Sequence, residues 1–105
     1  MPRVARSVQA GLSLHVVQRG INRQQCFFAD SDYSLYLRLL GKFAVRFDCS
    51  LHAYCLMTNH VHLLVTPNAQ DSCALLMKNV GQHYVQSVNR RLQRTGTLWE
   101  GRFKS

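Results

Sequence analysis

Residues 49–67, "CSLHAYCLMTNHVHLLVTP", form an apolar run that is too long for one ordinary β-strand. Thr58 and Asn59, near the middle of this run, are residues that favour a turn. The run therefore predicts two strands, 50–57 and 60–66, and a connection this short makes them antiparallel.

The second of these strands begins with two histidines separated by a single residue. Because side chains alternate between the two faces of a strand, His60 and His62 share one face with Leu64, and the apolar residues between them share the other. We expect the two imidazoles to point the same way, about 6 to 7 Å apart. Such a pair offers two nitrogen ligands to a metal ion, and a third group must come from elsewhere. The spacing alone equally allows two histidines that are hydrogen-bonded beneath a helix without a metal.

The remaining elements predict an α+β fold. "LSLHVVQRG" at 12–20 is typical of a strand, a helix is expected from Asp30 or Ser31 to about Phe47, and a second helix from 72 to 93. The last residues, "TLWEGRFKS", begin a further element that we expect to be a strand. This order favours a ferredoxin-like antiparallel sheet with the helices packed on one face.

Charge is the strongest signal in the composition. Thirteen lysines and arginines oppose five aspartates and glutamates, which gives a formal net charge of +8 and a pI near 10.0. The surplus lies in residues 1–23 and 76–105, and the middle of the chain is near neutral. Two basic ends around a neutral core favour a polyanionic partner, most simply nucleic acid. The alternative is a basic surface without a ligand.

The class of protein follows from the same composition. A hydrophobic content of 47% in 105 residues is typical of one soluble globular domain. No apolar run approaches the roughly 18 to 20 residues of a membrane span, and no export signal is recognisable, so we expect a cytoplasmic protein with no membrane association.

Four cysteines are present without a C-x-x-C spacing, which favours reduced thiols over a disulfide framework. A zinc site that combines Cys55 with His60 or His62 is an alternative use of the histidine pair. In that case the chain would be a small metal-binding structural protein.

Four stretches in order along the chain carry a resemblance to a known family. They are "MPRVARSVQAG", "HVVQRGINRQQCFF", "LHAYCLMTNHVHLLVTP" and the terminal "RTGTLWEGRFKS". The sequence "HVHLLV" resembles the HUH motif (histidine, bulky apolar residue, histidine) of single-tyrosine transposases. Together the four stretches are most similar to the branch of REP-associated tyrosine transposases.

The resemblance implies cleavage and joining of single-stranded hairpin DNA during transposition. In such enzymes the two histidines, here His60 and His62, bind a divalent ion, Mg²⁺ or Mn²⁺, against the scissile phosphate. A tyrosine then attacks the phosphorus, which forms a 5′-phosphotyrosine and releases a 3′-hydroxyl. The resemblance also implies a single HUH domain over residues 1–105, incomplete at its C-terminus.

The catalytic tyrosine is where this sequence departs from the family. In the family branch it lies on a helix that follows the equivalent of "LWEGRFKS", with an asparagine four residues later as the third metal ligand. The one substitute on a basic helix is Tyr84, whose partner four residues later is Val88, a side chain that cannot bind metal. Tyr84 also belongs to an apolar stripe with a spacing of four, which favours a core position. The sequence therefore predicts the metal pair without an identified nucleophile.

The DNA contacts are predicted by residue type. "QRGINRQ" supplies cationic and amide side chains for phosphates or base edges, and the C-terminal third adds further cations that follow a DNA backbone. The predicted set is Arg19, Asn22, Arg23, Arg90, Arg91, Arg94, Arg102 and Lys104. Trp99 and Phe103 are candidates for stacking on unpaired bases. For each single residue the alternative is ordinary, a solvated arginine or an aromatic ring packed in the core, whereas the collection favours DNA.

A second function class remains open from the sequence. The chain can equally be a DNA- or RNA-binding module that keeps the fold and the basic surface but does not cleave. The sequence leaves the oligomeric state open as well.

Overall fold

The computed structural model describes residues 10–105. Arg3, Arg6 and most of the first stretch of family resemblance lie outside the described residues. Within them, three strands and two long helices follow one another in the predicted order. Their bounds are β1 Leu14–Arg19, α1 Asp30–Arg46, β2 Cys49–Met57, β3 His60–Pro67 and α2 Ser72–Leu92, with a short 3₁₀ turn at Ile21–Arg23.

The strands form one antiparallel sheet in the order β1-β3-β2. The predicted turn at Thr58 and Asn59 joins β2 to β3, so β3 lies at the centre. Val61, Leu63 and Val65 are buried, and with Val16 of β1 they make the face on which the helices pack. The predicted α+β architecture with helices on one face of an antiparallel sheet is confirmed.

Helix α1 begins at Asp30, and its N-cap residue is Ala29, which has no side chain that can cap the helix; Asp30 and Ser31, expected from the sequence as capping residues, do not occupy the cap position. Instead the carboxylate of Asp32, in the first turn, accepts hydrogen bonds from the backbone N–H groups of Phe28 (2.8 Å) and Ala29 (3.0 Å). A buried carboxylate at this position satisfies these donors, and its negative charge interacts favourably with the positive N-terminal end of the helix dipole.

The C-terminal segment was expected to form a strand, and this expectation was wrong. Residues 98–104 make two isolated bridges to the outer edge of β1, Gly20 with Trp99 and Val17 with Lys104. Leu98, Trp99 and Phe103 are buried. These side chains enter the core, and backbone hydrogen bonds between Val17 and Lys104 also hold the segment, without forming a regular strand ladder.

Candidate functional site

The two histidines of β3 lie on the sheet face that points away from the helices. Their ring centroids are 4.9 Å apart and their ring planes make an angle of 78°. The rings therefore approach each other more closely than the strand spacing alone predicted. Both side chains are half-buried, so they are accessible while their orientations are restricted.

Asn59 fixes the orientation and the tautomer of His60. The amide nitrogen of Asn59 donates to the carbonyl oxygen of Arg23 (3.3 Å), which leaves its oxygen facing Nδ1 of His60 at 2.7 Å. Since that oxygen can only accept, Nδ1 of His60 carries the proton. The Nε2 lone pair of His60 is then available to a ligand, as in metal sites in which the second ring nitrogen donates to an oxygen.

His62 is bonded to a third histidine from the neighbouring strand. Nδ1 of His62 lies 3.0 Å from Nε2 of His15, and the two rings are stacked with centroids 5.2 Å apart. We call the surface formed by His15, His60 and His62 the histidine face. Partial burial lowers the pKa of His62, and His60, His15 and Arg19 lower it further by charge repulsion. A lowered pKa favours the neutral imidazole that a metal requires.

The described residues do not supply a complete metal site by themselves. Within 10–105, no group of three or more histidine, cysteine, aspartate or glutamate side chains is arranged to hold a metal ion. Cys55 lies opposite His62 in the β2–β3 register and is exposed, but it does not complete such a group. The chemistry of the site thus fits two imidazole ligands, with the remaining ligands to come from a phosphate, water or another segment.

Cationic side chains border the histidine face where β1 ends. Arg19 lies opposite His60 in the β1–β3 register, and the turn that follows carries Arg23. Together with Asn59 these residues line a cleft of about 320 Å³. Gly20 is required here, because a Cβ atom at this position would lie 2.1 Å from the carbonyl oxygen of Gln24. Sequence and backbone therefore place two guanidinium groups beside the histidine pair.

The other residues predicted to contact DNA do not all lie on the histidine face. Lys104 lies directly opposite Val17, whose side chain shares the histidine face, so its own side chain projects toward that face as well. Asn22 is exposed in the 3₁₀ turn with a positive φ of 53°. Arg102 lines a groove of about 660 Å³ beside α2, on the helix side of the sheet.

The arginines near the end of α2 lie on the helix side and do not join the histidine face. Arg91 forms an ion pair with the buried Asp32, and Arg94 donates to the side-chain oxygen of Asn89 (2.7 Å). Arg90 is exposed. Arg91 and Arg94 thus make intramolecular contacts that their residue type did not reveal.

Tyr84 is fully buried between α2 and the rest of the core. Its hydroxyl donates to the carbonyl oxygen of Cys26, and its ring packs against Tyr36 and Trp99. Burial raises its pKa well above the ordinary range, and the nearby Asp32 raises it further. Each of these features opposes formation of an attacking phenolate. Tyr84 belongs to the predicted apolar stripe of α2, of which only one member is exposed. The stripe consists of Leu76, Val80, Tyr84, Val88 and the exposed Leu92.

The other three tyrosines also lie on the helix side. Tyr36 is buried, and Tyr33 stacks on Phe27 with ring centroids 4.4 Å apart. Tyr54 is exposed but lies opposite Leu63 in the sheet register, on the face that carries the helices. Among residues 10–105, therefore, no tyrosine projects from the histidine face.

The Tyr84→Phe variant is expected to lower the free energy of unfolding by about 1 kcal/mol, because the carbonyl of Cys26 loses its buried partner. Chemical denaturation measures this change. DNA affinity should stay within about twofold, since Tyr84 lies in the core and not on the histidine face. Complete loss of DNA cleavage with normal folding would contradict this assignment.

The aromatic residues of the C-terminal segment do not present a stacking surface. Trp99 and Phe103 are only 8% and 6% exposed, so they pack in the core, which was the alternative to stacking on unpaired bases. A Cβ atom at Gly81 of α2 would be in ordinary van der Waals contact with the indole, 3.5 Å from its Nε1 atom. In the sequence, an aromatic ring between cations is compatible with stacking on bases or with packing in the core. Tertiary packing determines which of the two occurs.

Two residues of the site were not identified from the sequence. His15 alternates with buried Val16 in β1, which is the signal for an outward-facing position, but its partner depends on the β1–β3 register. Asn59 was recognised only as a turn residue, yet its side chain links Arg23 to His60.

Comparison with known proteins agrees with this architecture. A sequence model of the "Transposase IS200 like" family matches residues 8–105. No curated protein sequence matches the chain. None of the described helices is long and apolar enough to cross a membrane.

Two solved structures share the fold. One is a REP-associated tyrosine transposase bound to a REP hairpin, with a TM-score of 0.78 and 15% identity over 99% of this chain. The chain spans 60% of the length of that protein. The other is a candidate transposase from Deinococcus radiodurans R1, with a TM-score of 0.69, 20% identity and coverage of 97% of this chain and 82% of that one. Since the family match extends over nearly the whole sequence, the chain belongs to the IS200-like transposase family.

Proposed function

We propose that this domain binds hairpin-forming single-stranded DNA across the histidine face and positions one phosphodiester beside His60 and His62. The observation that carries the proposal is the placement of this oriented imidazole pair next to a cleft lined by Arg19 and Arg23. The structural relative bound to a REP hairpin supports the choice of DNA partner.

The arginines at the end of β1 would bind the DNA backbone. A guanidinium group pairs with phosphate through two parallel hydrogen bonds. Two such groups at one cleft would fix the path of the DNA strand past the histidines. Lys104 extends the positive surface along the outer edge of β1. The net charge of +8 strengthens this attraction at low ionic strength.

His60 and His62 would hold a divalent ion, Mg²⁺ or Mn²⁺, through their Nε2 atoms. When bound, such an ion polarises a phosphoryl oxygen and favours in-line displacement. Asn59 keeps the proton of His60 on Nδ1, so that Nε2 remains free to bind. Partial burial and the charges of His60, His15 and Arg19 lower the pKa of His62, which favours the neutral form of that ring.

A second candidate function is a binding module without cleavage. It is favoured by the position of Tyr33, Tyr36, Tyr54 and Tyr84 on the helix side, away from the histidine pair. Cleavage through a phosphotyrosine would then require a tyrosine that residues 10–105 do not place on the histidine face.

Affinity for a DNA hairpin with a single-stranded 5′ tail tests the proposed surface. Arg19→Ala is expected to weaken binding about 5- to 10-fold and to reduce the salt slope by about one, because one phosphate contact is lost. Fluorescence anisotropy over a salt series measures both. Arg38→Ala, which removes the same charge from an exposed position on α1, should change affinity less than about twofold. Equal losses in both variants would indicate general charge attraction and contradict a localised DNA site.

Incubation with the same hairpin and Mn²⁺ separates the two functions. A covalent protein–DNA product that disappears in His60→Ala would support strand cleavage. Tight binding with intact DNA under all metal conditions would support the binding module.

A further inference from the structure

We infer that His15 is a positioning residue whose Nε2 atom accepts a hydrogen bond from the Nδ1–H group of His62, which leaves the Nε2 lone pair of His62 available for a metal ion. This inference rests on the proposed metal-binding function of the histidine pair. It adds to the site a residue of β1, which lies 47 positions before His62 in the sequence.

The contact between the two rings allows only two arrangements. With 3.0 Å between Nδ1 of His62 and Nε2 of His15, one nitrogen must donate and the other accept when both rings are neutral. If His62 donates, its Nε2 carries a lone pair. If His15 donates, the proton of His62 lies on Nε2 and that atom cannot bind a metal.

The proposed metal function requires donation by His62. Asn59 already holds the proton of His60 on Nδ1. His60 therefore carries an Nε2 lone pair, and its ring lies beside the ring of His62. A metal bound there requires both Nε2 atoms to be unprotonated. Because β1 and β3 are paired by backbone hydrogen bonds, the strand of His15 holds its ring against His62. The two histidines of the motif thus have different supports, an amide for His60 and an imidazole for His62.

The tautomer is measured directly by the imidazole nitrogen chemical shifts of the metal-free protein at mildly alkaline pH. In the wild type, His62 should show an unprotonated Nε2 and a protonated Nδ1. In His15→Ala this ring should shift toward the Nε2–H form that free histidine prefers, and Mn²⁺ affinity should fall about 10-fold. In His15→Gln, whose side-chain oxygen accepts from Nδ1, both properties should stay within about threefold of the wild type.

His52→Ala is the matched control, because the His52 side chain bonds Thr66 on the same sheet face, and the residue of β2 opposite His62 is Cys55. It should leave the His62 tautomer and the Mn²⁺ affinity unchanged. A protonated Nε2 of His62 in the wild type, or equal losses in the glutamine and alanine variants, would overturn the inference. The predicted tautomer in a wild type that binds no Mn²⁺ would support the role of His15 while refuting the proposed metal function.

Discussion

Replacing either His60 or His62 with alanine is expected to weaken Mn²⁺ binding by at least about 100-fold, because each variant removes one of only two protein ligands that the described residues supply. The effect should exceed that of His15→Ala, which removes only a support. Electron paramagnetic resonance of free and bound Mn²⁺ measures these affinities. Metal-free DNA affinity should remain within about twofold, since Arg19 and Arg23 are retained.

Circular dichroism provides the folding control for these variants. Both histidines are half-buried on the face opposite the core, so the helical signal and the melting temperature should change little. Unchanged Mn²⁺ affinity in a folded His60→Ala protein would place the metal elsewhere and refute the assignment of this pair.

The Asp32→Ala variant is expected to lower the free energy of unfolding by about 2 to 4 kcal/mol. Asp32 is 2% exposed, accepts two backbone hydrogen bonds at the start of α1 and pairs with Arg91 of α2. Alanine would leave both N–H groups and the arginine without this partner. For a domain of this size the melting temperature should fall by roughly 10 to 25 °C, which calorimetry measures.

Arg91→Ala separates the ion pair from the backbone contacts. The Arg91 side chain is 43% exposed, so solvent screens the pair, and the carboxylate of Asp32 keeps its two N–H donors. The expected loss is therefore about 1 kcal/mol or less. A loss equal to that of Asp32→Ala would show that the ion pair, and not the backbone contacts, provides the stabilisation.

Local patterns were sufficient to predict β1, β2, β3, the two long helices and the face on which the histidines lie, but not the irregular C-terminal segment. The alternation of His60 and His62 with buried Val61 and Leu63 is a property of one strand, and it requires no knowledge of its neighbours. The stripe that contains Tyr84 likewise follows from helical periodicity. These predictions agree with the structure because local pattern and tertiary packing favour the same arrangement.

Contacts between residues that are distant in the sequence could not be predicted from local sequence patterns. The pairing of His15 with His62 depends on a register between strands separated by α1 and β2. The ion pair of Arg91 with Asp32 joins two helices, so residue type alone suggested a free cation. The burial of Trp99 and Phe103 depends on how the C-terminal segment meets β1 and α2. Each outcome is set by tertiary packing, which periodicity does not encode.

Electron–nuclear double resonance of Mn²⁺ in the complex with the DNA hairpin is the most direct test of the proposed site. We predict nitrogen couplings from two imidazoles together with a phosphorus coupling from a directly bound phosphate, and loss of one nitrogen coupling in His62→Ala. Phosphorus coupling without imidazole nitrogen coupling in the wild-type complex would show that the ion binds DNA alone, and would contradict the proposed role of His60 and His62.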